Sequence, residues 1–306
     1  MRKIAVLGSL NLDVTIRLKK FHQPGETVSA DSLFQYPGGK GGNQAVAAAR
    51  LGADVEMFAL LGDDMAASFY RDVLERESVG HAAVYSRKDV SSGTAFIEVD
   101  DAGENRIAIV AGANGCVDRA QLDAWLPDIL TCDILLLQLE TPIDSVAYAA
   151  EQMKSAAKTV ILDPAPAVEL PDALYPNVDI ITPNASELSI LTGKPCTSPA
   201  EISTACRELL GRGVGAVLAK LGEQGSYLLS SDGQEAMIPA FRVKPVDTTG
   251  AGDTFNGALA LALSRDFSLE EAARFANAAA ALSTTGAGAQ SAMPRIEQLR
   301  DFLAGA

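Results

Sequence analysis

Cysteine is scarce in this 306-residue chain: Cys116, Cys132, Cys196 and Cys206, with no C-x-x-C pair among them. With only two histidines beside them, a Cys/His metal cage and a disulfide framework are both excluded, and the thiols are expected reduced and buried. Basic residues are outnumbered, 25 against 39 acidic, for a net charge of −14, and no Lys/Arg run occurs. That balance excludes a nucleic-acid-binding face. An anionic ligand must be met by helix ends, single lysines or a metal, against the overall field. No apolar run reaches the roughly 18 residues of a membrane span. The apolar start is stopped by Asn11 and Asp13, too early for a signal peptide. These absences predict a cytoplasmic protein with no nucleic-acid or membrane partner.

Two phosphate-binding signatures are missing as well. The Walker pattern fails at "GGKGGN", where Gly41 follows Lys40 in place of Ser or Thr. The dinucleotide fingerprint fails at Phe255, which stands where the pattern starting at Gly250 needs its last glycine, and "GSLNLD" has no second glycine. A nucleotide has to bind by another route.

What is present is a chain of 48% hydrophobic residues, enough for a sizeable core. Short apolar runs alternate with longer Ala/Leu-rich periodic stretches, which predicts an α/β fold on a mostly parallel sheet, one domain over 1–306. Strands are expected at 3–8, 55–62, 133–139, 159–163, 179–183 and 216–222. Helices are expected at 42–52, 65–77, 143–156, 199–212, 252–264, 269–283 and 295–303. Pro142 suits the first turn of its helix, and Ser268 with Glu271 forms a capping box. Segments 13–18, 27–36 and the hairpin 93–110 break this pattern and predict a small inserted antiparallel sheet. Its Phe34, Tyr36, Phe96 and Ile107 are expected on one apolar face, covered by a substrate or by a second copy of the chain.

Three clusters carry chemistry. In "VDTTGAGDTFNGALA" the bare Gly250-Ala251-Gly252 backbone opens a helix whose first N–H groups suit an anion. Asp253 follows in the first helical turn, where the helix dipole favours its ionised form. A carboxylate there can take a hydroxyl proton while that hydroxyl attacks a phosphorus held beside it. The other reading is a glycine-rich turn with an acidic helix start. In "PGGKGGNQAVAAARLG" Gly38 and Gly39 can hinge or let a substrate touch the backbone, and Lys40 and Asn43 offer donors as a helix begins; the other reading is a plain glycine-rich helix entry. Asn11 and Asp13 lie past the C-terminal end of the first strand, where open α/β sheets bind ligands. Together they suit a polyhydroxyl compound. In "TPNASE" Asn184 and Glu187 are one helical turn apart; they either organise a hydrated Mg²⁺ or form a capping box.

Taken in order and spacing, "GGKGGNQAVAAARLG", "TPNASE" and "DTTGAGDTFNGAL" resemble the ribokinase-like carbohydrate kinases, the phosphofructokinase-B type, with similarity from "AVLGSLNLD" to "GAGAQSAMP". The resemblance implies a three-layer α/β/α fold with a β-sheet lid, and ATP-dependent phosphorylation of D-ribose at O5. It implies that Asn11, Asp13, Gly39, Lys40, Gly41, Gly42, Asn43 and Glu140 hold the sugar, with Asp253 as general base and Gly250 to Gly252 as anion hole. Asn184 and Glu187 would serve the Mg²⁺–phosphate end, and Lys220, Gly222, Gly225, Gly252 and Asn277 the ATP site. A monovalent cation, usually K⁺, would be held through Asp247, Thr249, Ser283, Gly286 and Gly288. Ala292 stands where the family usually offers a serine hydroxyl, with Ser291 one residue earlier. Another sugar such as 2-deoxyribose, a nucleoside, or a binding protein without catalysis are the alternatives. Relatives that prefer deoxyribose tend to lack the Asn11 amide, and relatives commonly form homodimers through the lid.

Overall fold

Strand β1, Ile4–Leu7, sends Ile4 and Val6 into one apolar core and Ala5 and Leu7 into another, and all four side chains are fully shielded. A strand buried on both faces reads as a continuous apolar run, which is why these runs point to a covered parallel sheet. The computed structural model describes residues 2–305. The remaining strands are β2 Asn11–Arg17, β3 Ser32–Gly38, β4 Val55–Leu61, β5 Val84–Ser86, β6 Gly93–Val99, β7 Asn105–Val110, β8 Ile134–Leu137, β9 Thr159–Leu162, β10 Ile180–Ile181, β11 Ala216–Lys220, β12 Ser226–Ser230 and β13 Glu235–Ile238. The helices are α1 Lys40–Arg50, α2 Met65–Arg76, α3 Arg119–Ile129, α4 Ile143–Ser155, α5 Ala185–Thr192, α6 Pro199–Gly211, α7 Ala251–Ser264, α8 Leu269–Ser283 and α9 Ile296–Ala304.

The main sheet runs β13-β12-β11-β10-β9-β8-β1-β4-β5, parallel from β11 to β5, with β12 and β13 antiparallel at one edge. Helices α1, α2, α7, α8 and α9 cover one face, and α3 to α6 the other. The three layers are those implied by the family resemblance. Cys132, Cys196 and Cys206 are buried and Cys116 half-buried, all of them free. Pro142 proves to be the cap before α4: its carbonyl accepts from Ser145 and Val146, and the helix begins at Ile143.

The second sheet, β3-β2-β6-β7, is the expected lid. Its segments differ at the edges: 27–31 stay outside the strands, and the hairpin turns at Asp100, whose Oδ1 accepts from Ala102 and Glu104, both at 3.0 Å. Register corrects one assignment. Phe34 pairs with Thr15, Thr15 with Ile97 and Ile97 with Ile107, which places Phe34, Ile107 and, two residues along, Tyr36 and Ile109 on the face that carries Asp13. Phe96 pairs with Val14 and so points to the opposite face, because side chains alternate along a strand. That opposite face is partly covered by the loop after β2, where Arg106 stacks over Phe21 and Glu98 meets His22.

Candidate active site

The C-terminal ends of β1, β8, β9, β10 and β11 all open on one side of the sheet, delivering Asn11, Glu140, Asp163, Asn184 and Lys220 to one crevice. A cavity of about 1060 Å³ lies there. Of the residues singled out in the sequence, Lys40, Asn184, Glu187, Lys220, Gly222, Gly225, Gly250, Ala251, Gly252, Asp253 and Asn277 line it. Asn11, Asp13, Gly39, Gly41, Gly42, Asn43 and Glu140 form the adjoining end below the lid, where Ser9 ties Gly41, Gly42 and Glu140 together. Asp247, Thr249, Ser283, Gly286 and Gly288 gather behind it.

Gly250 caps α7 with φ 76°, a left-handed conformation natural to glycine and costly for a side chain, and this swings the helix start toward the cavity. Ala251 N–H turns back to Thr248 O at 3.2 Å, while the N–H groups of Gly250, Gly252 and Asp253 have no partner among the described residues. Gly250 and Gly252, two of the three residues expected to offer donors, thus keep a free N–H, and Asp253 adds a third. Lys220 lies beside it, its Nζ 3.6 Å from where a Cβ on Gly252 would stand.

Asp253 is 6% exposed and accepts from Asn43 Nδ2 at 2.9 Å and Gln44 Nε2 at 3.3 Å. Burial raises its carboxyl to about 6; the Lys40 ammonium and the two amides pull it back down, while Asp163 pushes it up. The helix start thus does not keep Asp253 ionised at every pH. Asp13 rises to about 7 through burial and then the charges of Glu140 and Asp253. Burial works against the charge on Lys40, but the carboxylates of Asp253, Asp163, Glu140 and Glu187 outweigh it and hold the amine above its ordinary value.

The end below the lid is held from behind. Glu140 Oε2 accepts from the Ser9 hydroxyl and from Lys40 N at 3.0 Å. Asn114 Nδ2 donates to Asn11 Oδ1 at 2.7 Å, so Asn11 presents its NH₂ outward. Asn43, expected to hold a hydroxyl, has both ends of its amide engaged within the protein, its Oδ1 accepting from Gln290 at 3.1 Å. Asn277 Nδ2 donates to Ile238 O at 3.1 Å and Pro239 O at 3.4 Å, so it braces the cavity wall.

At the other end both readings of "TPNASE" meet. Asn184 and Glu187 form the capping box of α5, Glu187 Oε2 accepting from Asn184 N at 2.7 Å and Asn184 Oδ1 from Glu187 N at 2.8 Å. Glu187 Oε1 has no hydrogen-bond partner among the described residues, and burial raises this carboxyl despite Lys220 nearby. A half-buried carboxylate with a spare oxygen at the cavity wall fits a divalent cation. Behind the cavity, Asp247 accepts from Thr249 N at 2.9 Å, Thr249 Oγ1 at 2.7 Å and Gly288 N at 2.8 Å. These bonds outweigh its burial and hold its carboxyl below the ordinary value. Asp247 and Thr249 bring oxygen donors only, the chemistry a hard cation needs. The Ser291 hydroxyl donates to Ala287 O at 2.7 Å, and Ala292 presses its methyl toward Gly286.

Several residues of the site were not foreseen. Asp163, 1% exposed, pairs with Lys220 at 2.7 Å and accepts from Gln44 at 2.9 Å. Gln44 sits next to Asn43 in the glycine-rich motif, and Asp163 ends a predicted strand; position at a strand end was the available signal. Asn114, Tyr70 and Gln290 carry none, since each acts on residues far away in sequence.

A model of the pfkB family of carbohydrate kinases matches residues 1–296. The chain is 39% identical to a ribokinase of Haemophilus influenzae over 99% of both proteins, and 38% identical to a deoxyribokinase of Salmonella typhi over 98% of both. The structure of Arabidopsis thaliana ribokinase complexed with ribose and ATP superposes with a TM-score of 0.95 at 34% identity, covering 99% of this chain and 98% of that one.

Proposed function

The chain belongs to the pfkB family of carbohydrate kinases, and from that premise we propose that it uses ATP to phosphorylate D-ribose at O5. The observation that carries the mechanism is Asp253 beside the free N–H groups of Gly250, Gly252 and Asp253 at the α7 start. O5 attacks the γ-phosphorus, Asp253 takes the O5 proton, and the bond from phosphorus to the bridging oxygen of ADP breaks. Ribose 5-phosphate and ADP leave. The N–H groups of Gly252 and Asp253, with Lys220, receive the charge spread over the transferring phosphoryl oxygens. Asn11 donates its outward NH₂ to a ring hydroxyl, while Asp13, Lys40 and the spare oxygen of Glu140 orient the others.

Mg²⁺ fits beside Asn184 and Glu187, where it would neutralise phosphate charge that the surrounding carboxylates oppose. K⁺ fits the oxygens of Asp247, Thr249, Ser283, Gly286 and Gly288, where it would steady the turn behind the anion hole. The lid closes over the sugar and pairs two chains into a homodimer, and the enzyme works in the cytoplasm.

A deoxyribokinase stands nearly as close in sequence as a ribokinase, so the sugar rests on Asn11. A panel of sugars with ATP, read as ADP release, tests it: ribose should give the highest kcat/KM. Asn11→Ala should narrow the preference for ribose over 2-deoxyribose by about tenfold, the worth of one unmet hydrogen bond. Turnover of 2-deoxyribose above ribose by the unaltered protein would overturn the assignment.

A further inference from the structure

None of the steps above uses one buried amide. Gln290 occupies the short turn Gln290–Ala292, 4% exposed, and its Nε2 donates to Asn43 Oδ1 at 3.1 Å and to the Tyr70 oxygen at 3.0 Å. The polarity of this chain is fixed from both ends. Tyr70 gives its one proton to the Gly38 carbonyl, so it faces Gln290 as an acceptor. Ionised Asp253 can only accept, so Asn43 must aim its NH₂ at Asp253 and its oxygen at Gln290. An inverted Asn43 would set oxygen against carboxylate and NH₂ against NH₂. A donor at 290 therefore decides which way Asn43 faces. The turn itself is clamped: Arg50 donates to the Gln290 carbonyl and, at 2.9 Å, to Met293 O, while it binds Glu77 at 2.7 Å.

We propose that Gln290 is a positioning residue for phosphoryl transfer, acting through Asn43 to hold Asp253 in the orientation that takes the hydroxyl proton. This rests on the reading of Asp253 as the base. It also gives the turn 286–292 a route to the reaction centre, because Gly288, two residues before Gln290, is tied to Asp247. A shift of that turn reaches Asp253 through two side chains.

Gln290→Met keeps the size and removes the donor. Its kcat should fall between about tenfold and a hundredfold, as small misplacements of a catalytic group do, with the KM for ATP within about twofold. The deciding measurement is a double-mutant cycle with Asn43→Ala. If Gln290 acts through Asn43, Gln290→Met costs less than about twofold more once Asn43 is gone. Independent, multiplying losses overturn the proposal. Tyr70→Phe should cost less than Gln290→Met; an equal loss makes the network a mere clamp and also overturns it. Gln290→Leu, also without a donor, repeats the test, and failure of both 290 variants to fold while Asn43→Ala folds makes Gln290 structural. Asp253→Asn, measured alongside, separates the two levels. If it keeps its turnover the base assignment falls; if it is dead and the cycle multiplies, only the role of Gln290 falls.

Discussion

At the scale of single residues, Asp253 holds two demands in tension. Burial favours its protonated form and raises it to about 6, while catalysis needs it ionised. For a carboxyl raised on folding, the stabilisation is fully present below its unfolded value, near 4, and is lost as pH climbs through about 6. Activity runs the opposite way, so kcat/KM should rise with pH through an apparent value of about 6 and level off above it. Asp13, raised to about 7, is close enough to couple to that limb. Asp253→Asn should retain the fold and sugar binding and lose on the order of 10²–10⁴ in turnover. Retention of more than about a tenth of the wild-type rate would rule Asp253 out as the base. Asp253, Lys40 and Asn11 were readable because each lies in a glycine-rich turn or at a strand end. Asp163 shared the strand-end signal but takes its role from Lys220, 57 positions on, and Gln290 carried no signal because it meets Asn43, 247 positions back.

At the scale of elements, the site depends on how closely α1 and α7 approach, since α1 carries Asn43 and Gln44 and α7 carries Asp253. Gly257 is where they touch: a Cβ there would stand 2.7 Å from Gln44 O and 2.8 Å from Ala47 Cβ. Gly257→Val must push the helices apart. Overpacking of this kind costs about 1–3 kcal/mol, and the same displacement lengthens the Gln44–Asp253 bond. Thermal denaturation should show the lower stability, and kcat should fall although the substitution touches neither substrate. An unchanged melting temperature would show that the contact relaxes freely. The same scale shows where sequence reading stopped. Helix α3 was missed because Pro127 interrupts its pattern, and a proline reads as a helix end although the helix continues to Ile129. Helix α5 was missed because its eight residues give too short a period, and its capping box read equally as a metal site. Strands β5 and β13 are edge strands of three and four residues, with little apolar signal.

At the scale of the whole molecule, the proposed assembly rests on the lid. Phe34, Tyr36, Ile107 and Ile109 are 42%, 48%, 56% and 62% exposed and share one face, with Phe34 and Tyr36 stacked at 6.1 Å. Asp13, at the base of that same face, points to the sugar end, so a bound sugar covers the base and leaves the four outer residues in water. A contiguous apolar face on a thin sheet invites pairing, and two copies related by a two-fold axis satisfy it with one repeated patch. The register decides which substitutions test this. Phe96 was expected in the patch but lies on the far face, so a charge there should leave the assembly alone. Phe34→Lys and Ile107→Lys should break it. Light scattering after size exclusion should give about twice the 31.9 kDa of one chain for the unaltered protein and for Phe96→Lys, and a single-chain mass for the other two. A monomer at micromolar concentration would remove the dimer altogether. A dimer that survives both Phe34→Lys and Ile107→Lys would place the interface somewhere other than this face. With the proposed site, the sugar under the lid and ATP at the far end of the cavity, loss of the dimer should also raise the KM for ribose more than the KM for ATP.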